Sequence, residues 1–339
     1  MNPLRLSLPL AAAGVAVAVC FTGSLAAQQK WEPTKPIEII VNAGAGGATD
    51  QLARTIQSVC AKHSLTKQPF IVTIKSGAGG AEGMMDVKNS KGDANKLFIG
   101  NTGLYALPLA AKLPFNWRDL TPVAVIAMDE FCLWVNSEAP YKTPKEYLDA
   151  VKAAGPNVMK MGGTAALRED QILTSMIDAK AGTKFAYIPY KSGAEAAVQL
   201  VGKHIESNVN NPSENVSQWK AGQVRPLCIF DKERSEYKGK VTATQAWSDI
   251  PTAKELGLDV DYLMLRGIFL PGGCTAEQTA YYVDLLKQIV SKPEWKEYME
   301  NNALKSVFLS GKEFNAFLEK DEAMHKEIMT TAGFTAAQN

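Results

Sequence analysis

Ile37-Glu38-Ile39-Ile40-Val41-Asn42-Ala43-Gly44-Ala45-Gly46-Gly47-Ala48-Thr49-Asp50-Gln51-Leu52-Ala53-Arg54-Thr55-Ile56-Gln57-Ser58-Val59 is a β-branched run, a glycine-rich turn and an amphipathic segment in succession. The first five residues have the composition of a buried parallel strand. Leu52, Ile56 and Val59 fall on one helical stripe. The pattern recurs at Phe70-Ile71-Val72-Thr73-Ile74, followed by Gly77-Ala78-Gly79-Gly80-Ala81-Glu82-Gly83. Glycine admits positive φ and lets a ligand oxygen approach the backbone. A helix start adds unpaired N–H groups and roughly half a positive charge. Two such turns suggest one anion, a carboxylate or a phosphate, held by two sets of backbone amides. Either turn alone also fits an ordinary tight connection.

Outward from these turns the reading alternates: strand 37–41, helix 50–62, strand 70–74, helix 81–89, strand 97–100, helix 103–111 and strand 122–127. Such alternation predicts a parallel α/β sheet. A second α/β unit opens with an apolar strand at 131–135 and a helix capped by Thr143 with Pro144 in its first position. It continues as strand 158–161, a turn at Gly162-Gly163-Thr164, a helix from about Arg168 to Ala179, strand 185–190, helix 194–201 and strand 225–230. A short helix within 250–257, a strand at 263–271 and a helical C-terminus complete the reading. Ligands of α/β sheets sit at the carboxyl ends of strands, where the glycine turns fall. The expected form is a hinged, two-lobed binding protein.

Arg5 is the only charge before Lys30, and the stretch from Leu8 to Phe21 is apolar. This reads as a signal peptide over residues 1–26, cleaved after Ala26, and predicts a periplasmic location. A retained anchor and a lipoprotein acylated at Cys20 are the alternatives. The apolar core is short for a bilayer span, and Val19 stands where a lipoprotein needs a small residue. The 339 residues suffice for two ordinary domains, and a net charge of +1 leaves no electrostatic footprint for nucleic acid. Cys60, Cys132, Cys228 and Cys274 allow either disulfides or isolated buried thiols. His63, His204 and His325 have no metal-ligand spacing with them, so neither a metal nor another cofactor is expected.

Six further pieces occur in a telling order. They are Lys35-Pro36-Ile37 with Gly46-Gly47-Ala48-Thr49-Asp50 and Ala53-Arg54; Gly77-Ala78-Gly79-Gly80 with Gly83; Leu113-Pro114-Phe115 with Leu120-Thr121-Pro122-Val123; Pro189-Tyr190-Lys191-Ser192-Gly193; Ile250-Pro251-Thr252 with Glu255-Leu256-Gly257; and Leu270-Pro271-Gly272-Gly273. Together they resemble the periplasmic solute-binding proteins of tripartite tricarboxylate transporters, the Bug or TctC family, from Trp31 to about Phe334. The resemblance implies a type II-like fold of two α/β lobes joined by crossing strands. Lobe 1 would hold residues 30–128 plus 264–339, and lobe 2 residues 129–263. It implies a receptor, not an enzyme, that captures a small organic carboxylate: a dicarboxylate, a tricarboxylate or an aromatic carboxylate. The chain would act as a monomer and deliver its solute to a large and a small membrane subunit. Asn42-Ala43 replaces a proline common in the family, and Arg168-Glu169-Asp170 stands where histidine is common. An acidic residue frequent near a second-lobe strand end gives way to Glu206-Ser207-Asn208-Val209-Asn210-Asn211.

The resemblance also implies that the two loops grip a carboxylate, partly through water, which bridges nearly as well as a direct bond. On the first loop the expected contacts are Asn42, Ala43, Gly46, Gly47, Ala48, Thr49 and Asp50, although Asp50 equally suits helix capping. On the second they are Ser76, Gly77, Ala78, Gly79 and Gly80. Thr102 and Gly103 at a helix start, Gly163 and Thr164, and Asn210 join the set. Arg168, near a helix N-terminus in the closing lobe, suits a second carboxylate through its bidentate guanidinium, or else is solvated on a helix face. Tyr190 and Lys191 end a strand at a cleft position. Arg266 lies in an apolar segment, so it pairs within the protein or faces the cleft. Phe131 and Trp134 read as core before aromatic wall. A secreted enzyme using the loops for a phosphate or dinucleotide is the rival reading. The last glycine of the second loop is one residue too far for G-x-G-x-x-G, and no G-x-S-x-G elbow occurs.

Overall fold

β1 (Ile37–Val41) lies in parallel between β2 (Phe70–Ile74) and β3 (Lys96–Gly100), with α1 (Ala48–Lys62) and α2 (Ala81–Asn89) as crossovers. The computed structural model describes residues 30–335 and Met1, so the expected leader lies, Met1 aside, outside the described residues. α1 buries Leu52, Ile56 and Val59 with Ala53 and Cys60, the stripe read from the sequence. After α3 (Gly103–Ala111) and β4 (Leu120–Asp129), the chain crosses into a second sheet through β5 (Cys132–Asn136).

That second sheet uses β6 (Lys160–Thr164), β7 (Ala186–Tyr190), β8 (Ser207–Asn208) and β9 (Val224–Ile229), in the order β7-β6-β8-β5-β9. Its helices are α4 (Pro144–Ala154), α5 (Glu169–Ala181), α6 (Gly193–Val201) and α7 (Pro212–Lys220). Thr143 caps α4 by accepting from the Glu146 amide, with Pro144 at the start of the helix. The chain returns as β10 (Met264–Pro271) and ends with α8 (Ala276–Val290), α9 (Pro293–Asn301), β11 (Lys305–Ser310) and α10 (Gly311–Thr331).

The first sheet has the order β11-β4-β10-β3-β1-β2, so it is mixed where the sequence predicted it to be parallel. β10 is the return strand, and it lies between β3 and β4, antiparallel to both. All eight of its residues are buried, which an apolar run achieves only with a neighbour on each edge and cover on each face. Gly162, Gly163 and Thr164 continue β6 instead of turning. A Cβ on Gly163 would come within 2.5 Å of the Asp170 Cβ, so its bareness lets α5 approach the strand. β8, α7 and β11 have no counterpart in the sequence reading: β8 is two residues long, and α7 is largely polar.

Four apolar clusters cover the faces of the two sheets. Phe131 and Trp134 are core residues, and Trp134 meets Trp219 and Trp247 edge-on at centroid separations of 6.0 and 6.3 Å. Cys60, Cys132, Cys228 and Cys274 are free thiols, and burial pushes Cys60 and Cys228 each up to about 12. No helix among the described residues is long and apolar enough to cross a membrane.

Candidate functional site

Asn42 directly follows β1, and its side chain is oriented by a relay. The Gly103 amide donates to Asn101 Oδ1 at 3.0 Å, which turns the Asn101 Nδ2 toward Asn42 Oδ1 at 3.5 Å. Asn42 Nδ2 is left with no partner although the residue is 1% exposed. A buried unmade hydrogen bond costs about 1–3 kcal/mol. Asn42 lines a cleft of about 550 Å³, whose walls are the 76–79 turn, the α3 residues Leu107 and Ala111, and the second-lobe segments 164–168 and 189–191. That volume suits a small organic molecule. Ala78, Ala165 and Leu167 all line this cleft, and each has a left-handed backbone, with φ of 50°, 52° and 59°. Non-glycine residues enter that region at a cost, and such strain gathers at ligand clamps.

The two lobes meet along a polar seam beside the cleft. The Gly44 amide donates to Lys191 O at 3.0 Å, and Gln51 Nε2 donates to Ser213 O at 3.1 Å. Arg168 Nη1 donates to Asn42 O at 3.2 Å and to Gly79 O at 3.1 Å, while Nε and Nη2 pair with the Glu169 carboxylate. Arg168 is therefore neither a solvated residue nor a free guanidinium: it clasps one carbonyl from each glycine loop. Gly80 makes the clasp fit. A Cβ there would stand 2.5 Å from Asn42 O and 3.0 Å from Arg168 Nη1, and its φ of +102° is left-handed as well.

At the start of α1 the anion position is filled from within the chain. Glu214, on α7, accepts from the Ala48 amide through Oε1 at 3.1 Å and from the Asn211 amide through Oε2 at 3.3 Å. Burial pushes the Glu214 carboxyl up to about 7, against the pull of the Ala48 N–H and of Arg266. Burial, with the charges of Glu169 and Glu214, also holds Asp170 well above the usual carboxylate range. Beside Glu214, Arg266 donates to Asp129 Oδ2 at 2.8 Å through Nε, to Thr49 Oγ1 at 2.9 Å and to Asn211 Oδ1 at 3.3 Å. This buried pair sits where β4 and β10 cross between the sheets, so Arg266 is held by the protein and does not face the cleft.

Of the residues expected to touch a ligand, Asn42, Ser76, Ala78, Gly79, Thr164, Arg168, Tyr190 and Lys191 line the cleft together. The others are not among the residues that line it, although Gly77 and Gly80 flank those that do. Gly47 is the N-cap of α1, so Asp50 is not; Asp50 accepts from the Gly46 amide at 2.8 Å and pairs with Arg54. Ala43 is buried, Ala48 holds Glu214, and Thr49 holds Arg266. The Gly77 amide donates to Glu82 Oε2 at 3.0 Å. Thr102 is fully buried beside Tyr262 Oη at 3.1 Å and His325 Nε2 at 3.5 Å. Gly103 fixes Asn101, Gly163 backs onto Asp170, and Asn210 donates to Gly193 O and Asn215 Oδ1 at 2.6 Å each. Glu214 and the apolar walls at Leu107, Ala111 and Leu167 were not read from the sequence. Asn211-Pro212-Ser213-Glu214 did carry a signal: a cap residue, a first-turn proline and an acid three residues on.

Residues 52–334 match the family model described as "Tripartite tricarboxylate transporter family receptor". A curated relative from Cupriavidus necator, the UPF0065 protein in the gbd 5' region, is 27% identical over 338 residues, 97% of this chain and 98% of the relative. A TctC solute binding protein from Polaromonas is 27% identical, with a TM-score of 0.63 over 88% of this chain and 99% of that one. An R. palustris protein solved with adipate is 21% identical, with a TM-score of 0.81 over 89% of this chain and 98% of that one.

Proposed function

Because the chain belongs to the receptor family of tripartite tricarboxylate transporters, we propose that it captures a small organic carboxylate between its lobes and hands it to the membrane subunits of such a transporter. The observation that carries the carboxylate is Asn42 Nδ2, a buried donor with no partner on a residue that lines a solute-sized cleft. A carboxylate supplies the missing acceptor, and a hydrogen bond to a charged group contributes about 1.5–3 kcal/mol. The Ala78–Gly79 turn lines the same cleft. The adipate of the R. palustris neighbour belongs to that protein, and for this chain it makes carboxylates the first solute class to test.

On this reading residues 30–128 with 264–339 form one lobe and residues 129–263 the other, and the Asp129 to Cys132 and Tyr262 to Met264 stretches are the connections across which they move. The protein is a periplasmic monomer exported by its leader, meets a large and a small membrane subunit, and releases its solute unchanged. A thermal-shift screen of mono-, di- and tricarboxylates tests the proposal. A solute at a hundredfold excess over its Kd stabilises the folded chain by about 2.7 kcal/mol, which such a screen detects. Asn42→Ala is expected to weaken binding tenfold or more. A screen without any stabilising carboxylate overturns the reading.

A further inference from the structure

We infer that Asn101 sets the polarity of the cleft: it is a positioning residue that holds Asn42 with its amide NH2, not its carbonyl, available to the solute. The inference rests on the carboxylate-receptor reading and deepens it. The two ends of an asparagine amide have nearly the same shape, so packing alone does not choose between them and hydrogen-bond partners must. Here the choice starts from the backbone. Gly103 is the first residue of α3, where a helix leaves its N–H groups unused, and this N–H donates to Asn101 Oδ1 at 3.0 Å. A backbone amide cannot turn into an acceptor. Asn101, 1% exposed, therefore presents Nδ2 on its other side, 3.5 Å from Asn42 Oδ1. With Oδ1 engaged, the group that Asn42 has left for a solute is Nδ2, which has no partner among the described residues.

The opposite arrangement leaves two donors unmade instead of one. Turned about, Asn42 would set its NH2 against that of Asn101 and would offer the cleft a carbonyl, which repels an anion. The rest of Asn42 is held, so only the amide can turn. Arg168 Nη1 donates to Asn42 O at 3.2 Å, and a Cβ on Gly80 or Gly83 would come within 3.4 or 3.3 Å of Asn42 Cβ. Asn42, Asn101 and Gly103 all belong to residues 30–128, so the donor is aimed within one lobe and does not wait for the other. A preset donor loses less freedom on binding, which strengthens the contact.

Calorimetric titration with hexanoate, benzoate, adipate and citrate, each beside its carboxamide, supplies the reference: wild-type protein is expected to bind at least one acid tenfold or more tightly than its amide. Asn101→Asp keeps an oxygen for the Gly103 N–H and sets a second oxygen against Asn42, whose NH2 then turns toward it. That variant is expected to lower the acid preference tenfold or more. Asn101→Ala adds no charge and only releases Asn42, so it separates positioning from simple repulsion and serves alone if the Asp variant does not fold. It is expected to lower the acid preference at least threefold, and to leave it unchanged where Asn42 is already Ala. An acid preference that either variant leaves intact, or that Asn101→Ala lowers equally in both backgrounds, overturns the inference and leaves the receptor reading standing. Wild-type protein that binds no acid, or binds amides as tightly as acids, overturns both.

Discussion

Glu214 Oε1 lies 3.1 Å from the Ala48 amide nitrogen, so a side chain of the second lobe terminates the first helix of the first lobe. A helix N-terminus attracts any anion of the right reach. Here the chain supplies its own, and the glycine turn before α1 becomes part of a closing surface, while the turn before α2 borders the cleft.

The pH dependence of stability follows from that contact. Glu214 has an ordinary value of 4.5 and is raised to about 7 in the folded chain. Between those values the folded state binds more protons than the unfolded one, so stability falls as pH rises from about 4.5 to about 7. Asp170 and Glu130 are raised as well and contribute with the same sign. Glu214→Gln removes one proton site from the sum. Thermal unfolding at half-unit pH steps should give a shallower decline for the variant, and parallel curves would contradict the assignment.

Gly193 makes room for the same carboxylate. A Cβ at that position would stand 2.0 Å from Glu214 Oε2. Gly193→Ala must displace Glu214 and should cost about 1–3 kcal/mol, as overpacking does. Made together with Glu214→Ala, the substitution should cost much less, and a double-mutant cycle in denaturant measures the coupling.

Gly80 and Gly92 separate two effects of a positive φ. Both backbones are left-handed, at +102° and +79°, yet only Gly80 would press a Cβ against neighbours, the nearest being Asn42 O at 2.5 Å. Gly92→Ala should cost about 1–2 kcal/mol from conformation alone. Gly80→Ala should cost more and also weaken solute binding, because Asn42 and Arg168 must shift. Equal stability losses in chemical denaturation would show that the loops do not meet as described.

Arg266→Ala leaves Asp129 buried and uncompensated. Breaking a buried pair by removing one partner costs about 3–5 kcal/mol. Arg266 also holds Thr49 and Asn211, so the lobes should lose register as well as stability. Denaturant unfolding measures the first effect, and a rise in scattering radius without solute measures the second.

The legible parts of this chain were those set by local pattern. The α1 stripe, the Thr143 cap and the buried state of Phe131 and Trp134 follow from spacing and apolarity, and they stand as read. The six ordered motifs identified the family. What escaped was fixed by distant partners. β10 lies between β3 and β4 because the chain returns from another lobe, which no local alternation encodes. Arg168 read as free because its acceptors, Asn42 O and Gly79 O, are backbone atoms without a side-chain signature. Glu214 sits on a polar helix whose cap could be recognised but whose target, a bare amide in the other lobe, could not.

The position of β10 also sets an order of assembly. The second sheet closes from one continuous stretch, Cys132 to Ile229, whereas β3, paired with β1 along one edge, finds the neighbour for its other edge only in a strand that emerges after that whole lobe. Contacts so distant in sequence form slowly. The inner lobe should thus acquire amide protection first in pulse-labelled hydrogen exchange, with the β3 amides that face β10 protected only once Met264–Pro271 docks. Until then the first lobe keeps an open strand edge along β3.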